Sequence, residues 1–151
     1  MNSNNSYAHA QINGNQTNPD LSGTANFYSS PSGGTWVEIE VFSLPNKNVK
    51  NSSNFYGLHI HETGNCTPPF DKTGGHLNPF NETHPNHIGD LPPLLGNEGY
   101  AYLAFFTNRF TLSEIENKSI IIHSKPDDFT SQPAGNSGDK IACGVIRTIQ
   151  E

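Results

Sequence analysis

One stretch of this chain, residues 57–90, is so rich in histidine that any fold must accommodate it. The stretch reads GLHIHETGNCTPPFDKTGGHLNPFNETHPNHIGD and holds five of the seven histidines in the sequence. These five are His59, His61, His76, His84 and His87. Imidazole is the commonest metal-ligating side chain in proteins. The clustering therefore predicts that the chain folds around a metal site.

The rest of the sequence favours short strands joined by turns. Glycine (14 residues) and proline (11 residues) are abundant, and only 32% of the residues are hydrophobic, as in a loop-rich β fold. In TWVEIEVFSL, polar and apolar residues alternate as in a half-buried strand. We predict strands over residues 7–12, 21–29, 35–44, 55–62, 100–112, 119–125 and 141–149, and a short helical turn at 113–118. This pattern predicts an all-β sandwich or barrel.

Two long segments, 64–99 and 126–140, are too rich in glycine and proline for regular structure. Loops of this length inside a compact domain are usually functional. A chain of 151 residues is most simply one domain, which we place at residues 7–151. Residues 1–6 are polar and without periodicity, so we expect a frayed N-terminus there.

Charge and hydropathy argue against two classes of partner. The formal net charge is −6 and there is no basic run, so we expect no binding to nucleic acid. No apolar run reaches the roughly 18 residues that a membrane span requires, so we expect no membrane insertion. The first residues, MNSNNSYAHAQ, lack the basic and apolar regions of a secretory signal. A cytoplasmic location follows, or export if the sequence is an already processed form.

A first set of histidines has a pattern that suits copper. His59 and His61 are two residues apart on a predicted strand, so both imidazoles face the same side while Ile60 faces the other. His123 ends the apolar run SIIIHSK and joins them if the two strands are neighbours. His76 lies in the long loop, which is able to reach the same place. Four imidazoles around one ion form a ligand set suited to copper.

A second set suits zinc. His84, His87 and Asp90 have the spacing H-x2-H-x2-D, and with His76 they offer three nitrogens and one oxygen. Two sites that share His76 require its imidazole to bridge both metals through its two nitrogens. The alternative is a set of unrelated polar histidines in a loop.

The two cysteines, Cys66 and Cys143, leave three possibilities open from their spacing. They form a disulfide, remain as two free thiols or bind metal, and their separation does not match a CxxC zinc motif. In a cytosolic protein, two free thiols are the default expectation.

Five motifs together resemble the copper/zinc superoxide dismutase family, and the resemblance covers nearly the whole chain from Ala8. They are GLHIHETGNC, GGHLNP, HPNHIGDLP, IIIHSKPDD and GNSGDKIACGVI. The resemblance implies an eight-stranded Greek-key β-barrel with two long loops over the metal site. It also implies dismutation of superoxide to dioxygen and hydrogen peroxide, and a homodimer. The loop lengths resemble those of bacterial members.

The same resemblance implies one copper and one zinc per subunit, with named ligands. The copper ligands are His59, His61, His76 and His123. The zinc ligands are His76, His84, His87 and Asp90. Asp127 matches an aspartate outside the ligand shell that accepts hydrogen bonds from His59 and His84, and the cysteines match a disulfide between Cys66 and Cys143.

The implied catalytic residues are His76 and Lys140. His76 would deliver protons through its bridging ring, and Lys140 would attract the superoxide anion. The family usually has arginine at the position of Lys140, so this chain departs from the pattern there. The alternative function is a non-catalytic domain of the same family that binds zinc or carries copper.

Overall fold

The computed structural model of the protein describes residues 6–45, 47, 50 and 53–150. The predicted frayed segment 1–6 lies outside the described residues except for Ser6. The described strands are β1 (Tyr7–Gly14), β2 (Ser22–Ser29), β3 (Thr35–Phe42), β4 (Phe55–Tyr56), β5 (Leu58–His61), β6 (Leu94–Leu95), β7 (Ala101–Thr107), β8 (Ser119–His123), β9 (Lys140–Val145) and β10 (Arg147–Ile149). A 3-10 turn spans Asp71–Thr73, and one short helix, α1, spans Leu112–Ile115.

Eight of these strands form one antiparallel sheet. Its order is β5-β8-β9-β1-β2-β3-β7, and β10 also pairs with β1. β4 and β6 form a separate two-stranded sheet. Neighbours that are distant in sequence, such as β1 and β9, require the crossing connections of a Greek key. This curled sheet with a single short helix confirms the predicted all-β fold. None of the described helices is long and apolar enough to cross a membrane.

Alternation of side chains in the first three strands builds the core. In β3, Val37, Ile39 and Val41 are at most 1% exposed, whereas Trp36 is 54% exposed. This is the alternation that the sequence predicts, because successive side chains of a strand point to opposite faces. Full burial of each such aliphatic side chain contributes about 1.5–3 kcal/mol. The inward residues of β1 and β2 join the same core.

Two predicted strands are interrupted where the backbone turns to another partner. The strand predicted over 55–62 breaks at Gly57, whose N–H donates to Lys125 O at 2.8 Å. A Cβ at Gly57 would lie 2.7 Å from the hydroxyl of Ser137, so the close approach requires glycine. The strand predicted over 141–149 breaks at Ile146, whose N–H donates to Lys118 O at 2.9 Å.

The strand predicted over residues 100–112 is too long. It ends at Thr107, and α1 begins at Leu112, one residue before the predicted helical turn. At the start of α1, the N–H of Thr111 donates to the carboxylate of Glu114 at 3.0 Å, which is part of a capping box. Leu112 and Ile115 are buried by this single turn. Local capping therefore prevails over the strand-like composition.

Cys66 and Cys143 form a disulfide, with their Cα atoms 5.7 Å apart. The disulfide implied by the family resemblance is confirmed, and the expectation of free thiols is wrong. Cys143 lies on β9 and packs with Phe70 and Ile121, while Cys66 lies in the long loop. The bond therefore ties the histidine-bearing loop to the sheet over a small apolar cluster.

Loss of this bond should destabilise the protein. The cysteines are 77 residues apart in sequence, and closing a loop of that size removes unfolded-state entropy worth about 4 kcal/mol in the chain-entropy model. We expect the Cys66→Ser, Cys143→Ser double variant to lose free energy of unfolding on that order in denaturant titrations. Wild type titrated in reductant is the matched control. Two alkylatable thiols in native, unreduced wild type would contradict the bond itself.

Candidate metal centre

β5 presents two histidines on one face because of its strand geometry. Leu58 and Ile60 point into the core and are fully buried. His59 and His61 point to the opposite face, yet they are only 0% and 2% exposed. Loops cover this face, so both imidazoles are shielded from solvent.

The long loop docks on the free edge of β5 through its backbone. The N–H of Leu77 donates to Ile60 O, and the N–H of Ile60 donates to Gly89 O, both at 2.8 Å. A Cβ at position 89 would lie 2.3 Å from Ile60 O, so only glycine permits this contact. These bonds place the loop in register with the strand.

Docking brings loop residues opposite the strand histidines. His76 pairs with His61, and Asp90 pairs with His59, as isolated bridges. His123, at the end of β8, completes a group that we call the four-histidine cluster. Its members are His59, His61, His76 and His123, and one ligand atom of each lies within 4.8 Å of the others.

Hydrogen bonds aim the ring nitrogens of this cluster inward. His61 donates from Nδ1 to Gly74 O at 2.9 Å, and His123 donates from Nδ1 to Gly138 O at 3.4 Å. Each neutral ring then carries a lone pair on Nε2, and these two Nε2 atoms are only 3.2 Å apart. Facing lone pairs repel unless a cation lies between them. The cluster therefore fits a metal ion.

A second group, the zinc-type cluster, consists of His76, His84, His87 and Asp90, whose ligand atoms also lie within 4.8 Å of one another. His76 Nδ1 is 2.8 Å from Asp90 Oδ1. The Nδ1 atoms of His84 and His87 are 3.2 and 3.1 Å from Asp90 Oδ2. Three nitrogens and one carboxylate match a tetrahedral zinc set, and His76 belongs to both clusters.

Asp127 links the two clusters by hydrogen bonding to one histidine of each. One carboxylate oxygen accepts from His59 Nε2 at 2.7 Å, and the other accepts from His84 Nε2 at 2.8 Å. Each ring is left with an Nδ1 lone pair that faces its own cluster. His59 Nδ1, His84 Nδ1 and His76 Nε2 are buried and have no hydrogen-bond partner among the described residues. Such atoms are costly unless a ligand such as a metal satisfies them.

Lys140, at the start of β9, lies beside the four-histidine cluster. Its Nζ donates to Thr73 Oγ1 at 2.7 Å and to Gly74 O at 3.2 Å. Gly74 O also accepts from His61, so a single oxygen separates the ammonium from a cluster imidazole. The predicted site residues are thus brought together, while the assignment of copper and zinc to them stays a prediction.

The family comparison decides where this site belongs. The copper/zinc superoxide dismutase (SODC) family matches residues 21–146. The chain belongs to the copper/zinc superoxide dismutase family. A relative from Deinococcus radiodurans, named as a Cu-Zn superoxide dismutase, is 38% identical over 151 residues, which cover 85% of this chain and 79% of that protein.

Two solved structures share the fold. A double mutant of a superoxide dismutase-like protein from Bacillus subtilis is 31% identical with a TM-score of 0.78, covering 91% of this chain and 95% of that one. The clock protein EA4 is 28% identical with a TM-score of 0.80, covering 97% of each chain. The descriptions of these two similar structures do not state dismutase activity.

Burial lowers the pKa of three of the dismutase-family histidines, His61, His76 and His123, and so favours the neutral form that binds metals. Burial lowers the pKa of His61 to about 2, that of His123 to about 3 and that of His76 to about 4. Burial acts to raise the pKa of Asp127, but hydrogen bonds from two histidines hold it well below its usual range. Asp127 therefore remains a carboxylate, able only to accept hydrogen bonds.

Two polar side chains that support the loop were not found from the sequence. Gln132 holds the backbone of His84, accepting from its N–H at 2.9 Å and donating to its carbonyl at 2.7 Å. Arg109 donates from Nη1 to Pro85 O at 2.8 Å and to His87 O at 3.1 Å. Neither residue lies in a metal-binding motif, so only their distant contacts identify them.

The free energy of unfolding of the metal-free protein should decrease as the pH is lowered from 7 to 5. The folded-state pKa values of the three buried histidines lie below the unfolded value of about 6.5, so the unfolded chain binds more protons as pH falls from 7 to 5. Each histidine then lowers the free energy of unfolding by about 2 kcal/mol between pH 7 and pH 5. We expect urea titrations to show a total loss of at least about 2 kcal/mol over that range. His61→Phe should have a shallower dependence. A free energy of unfolding that is constant from pH 7 to 5 would contradict this explanation.

Arg109→Gln should loosen the zinc-type cluster, because it removes the guanidinium that holds the backbone of the loop. We expect zinc-loaded protein to release zinc to a colorimetric chelator about tenfold faster, a typical effect for residues that support ligands. Arg147→Gln is the matched control, since Arg147 hydrogen bonds to Asn117 instead. Equal release rates for Arg109→Gln and wild type would show that the Arg109 side chain does not help to retain the metal.

Proposed function

We propose that this protein is an active superoxide dismutase that binds copper in the four-histidine cluster and zinc in the zinc-type cluster. The observation that carries the proposal is the shared residue His76. Its Nδ1 faces Asp90 while its buried Nε2 has no hydrogen-bond partner among the described residues. Such a ring suits two adjacent metals better than it suits any purely structural role.

The donor atoms match the chemistry that each metal supplies. When bound, copper would cycle between two oxidation states, oxidising one superoxide to dioxygen and reducing another, with uptake of two protons, to hydrogen peroxide, while zinc has no redox chemistry. Four neutral imidazoles suit copper, and three imidazoles with a carboxylate suit zinc. All seven ligand positions are present in this chain.

The protein's own residues orient the centre and manage protons. Asp127 fixes the tautomers of His59 and His84, so that each presents Nδ1 without a proton. His76 Nε2 is the atom that we assign to hold a proton for the forming peroxide, since it faces the four-histidine cluster. The members of the four-histidine cluster are at most 7% exposed, so their rings are largely shielded from bulk water.

Attraction of superoxide requires a local positive field. The formal net charge of −6 would repel an anion, so fixed cations near the cluster must dominate there. Lys140 supplies such a charge, separated from His61 by the single oxygen of Gly74. A lysine ammonium is a compact charge without the planar fork of arginine, so it attracts the anion without fixing its orientation.

A second candidate function is a metal-binding domain without catalysis. One observation favours it: a similar solved structure comes from a Bacillus subtilis protein described only as superoxide dismutase-like. Such a protein would bind metal through the same histidines and would not consume superoxide.

Metal analysis and a superoxide-consumption assay on the same sample separate these functions. We expect one copper and one zinc per chain and a rate that depends on copper. His123→Ala should abolish activity while the zinc-type cluster, which lacks this residue, retains zinc. His9→Ala is the control histidine, because His9 hydrogen bonds to Asn26 and belongs to neither cluster. Full metal content without superoxide consumption would favour the second candidate and exclude dismutation.

A further inference from the structure

The ammonium of Lys140 has an acceptor for each of its three donors. Besides Thr73 Oγ1 at 2.7 Å and Gly74 O at 3.2 Å, Nζ is 3.5 Å from Phe70 O. A lysine ammonium has three N–H donors and no acceptor. Its shortest hydrogen bond, and the only one to a side chain among the described residues, is to the hydroxyl of Thr73.

Thr73 is built to accept this bond. The residue is fully buried, at the end of the 3-10 turn. Its hydroxyl donates to Phe70 O at 2.8 Å, so its single proton is already used. The hydroxyl oxygen is therefore left as an acceptor, directed at Lys140 Nζ. The ammonium can only donate, and the turn leaves the hydroxyl oxygen free to accept.

We propose that Thr73 is a positioning residue that holds the Lys140 ammonium beside the four-histidine cluster for capture of the anion. The inference deepens the proposed function and rests on it. Arginine would place several donors in a rigid fork, whereas lysine has one rotatable group at the end of a flexible stem. The hydroxyl of Thr73 supplies the fixed acceptor that the flexible stem requires.

A nearby carboxylate explains why the position matters. Asp71 lies in the same 3-10 turn as Thr73. Asp71 and Lys140 line the same surface pocket. Without the Thr73 hydroxyl, the ammonium loses its shortest contact and is free to move toward this carboxylate. An ion pair with Asp71 would cancel the positive field at the cluster. Thr73 therefore keeps the charge of Lys140 directed at the site.

The first measurement is independent of catalysis. In zinc-loaded protein, which is diamagnetic, an ammonium held by three acceptors should exchange slowly enough with water to give a lysine Nζ signal in NMR spectra. Lys140→Arg assigns that signal by removing it. We expect Thr73→Val, which has nearly the same shape without the hydroxyl, to lose the signal, and Thr73→Ser to restore it. A Thr73→Val spectrum that keeps the signal would overturn the proposal.

The second measurement is the dismutation rate against ionic strength at matched copper and zinc content. Fixed charges that steer an anion raise capture by about tenfold or more, and salt screens them with a Debye length of about 10 Å at 0.1 M. We expect Thr73→Val to be about three- to tenfold slower at low salt, with a flatter salt dependence. Thr73→Ser should recover both the rate and the slope.

A double-mutant comparison separates positioning from a loss of structure. If Thr73 acts through Lys140, then Thr73→Val should cause no further loss of rate in a Lys140→Met background. An equal loss in both backgrounds would overturn the proposal. If wild type consumes no superoxide, the proposed function fails, whereas the ammonium signal still decides whether Thr73 holds Lys140.

Discussion

The hydrogen bonds of Asp127 to His59 and His84 are the interaction on which both clusters depend. The two rings come from different parts of the chain, one from β5 and one from the long loop. A single buried carboxylate sets the tautomer of each and so directs two Nδ1 lone pairs into two separate clusters. Gly135 has a positive φ of 72°, and a Cβ there would lie 2.0 Å from Asp127 Oδ1. The second long loop therefore closes tightly over this contact.

The support of the centre is distributed, although its ligands are concentrated in one stretch. The backbone of the long loop hydrogen bonds to β5, and the disulfide ties the loop to β9. Gln132 and Arg109 hold the segment around His84. Each contact restrains a different part of a loop that has almost no regular structure of its own. Such restraint is what allows buried, lone-pair-bearing nitrogens to face one another in the folded chain.

The residues that meet at the centre could be predicted because their chemistry is written in short motifs. His59 and His61 share a face by strand periodicity, and H-x2-H-x2-D keeps three donors close by spacing alone. Strand ends were less predictable, because the N–H groups of Gly57 and Ile146 bond to backbone carbonyls of residues distant in sequence and so interrupt the strands. The cysteine pairing followed from family resemblance, because spacing alone left three alternatives.

The supporting residues could not be predicted for a different physical reason. Gln132 contacts His84 across 48 positions, and Thr73 contacts Lys140 across 67. A polar residue in a loop carries no periodic signal, and its partner depends on how two loops meet in space. Only the folded chain shows that these ordinary loop residues define the position of a charge or a ring.

Docking of the loop at Ile60 has a consequence for how the molecule behaves among its copies. β5 is the last strand of its sheet, and an uncovered last strand offers unpaired N–H and C=O groups to any other chain. Leu77 and Gly89 occupy those groups in the folded protein. The loop that carries the histidines thus also protects the edge of β5 from pairing with another chain. A chain whose loop is detached would present an open template for self-association, whatever its metal content.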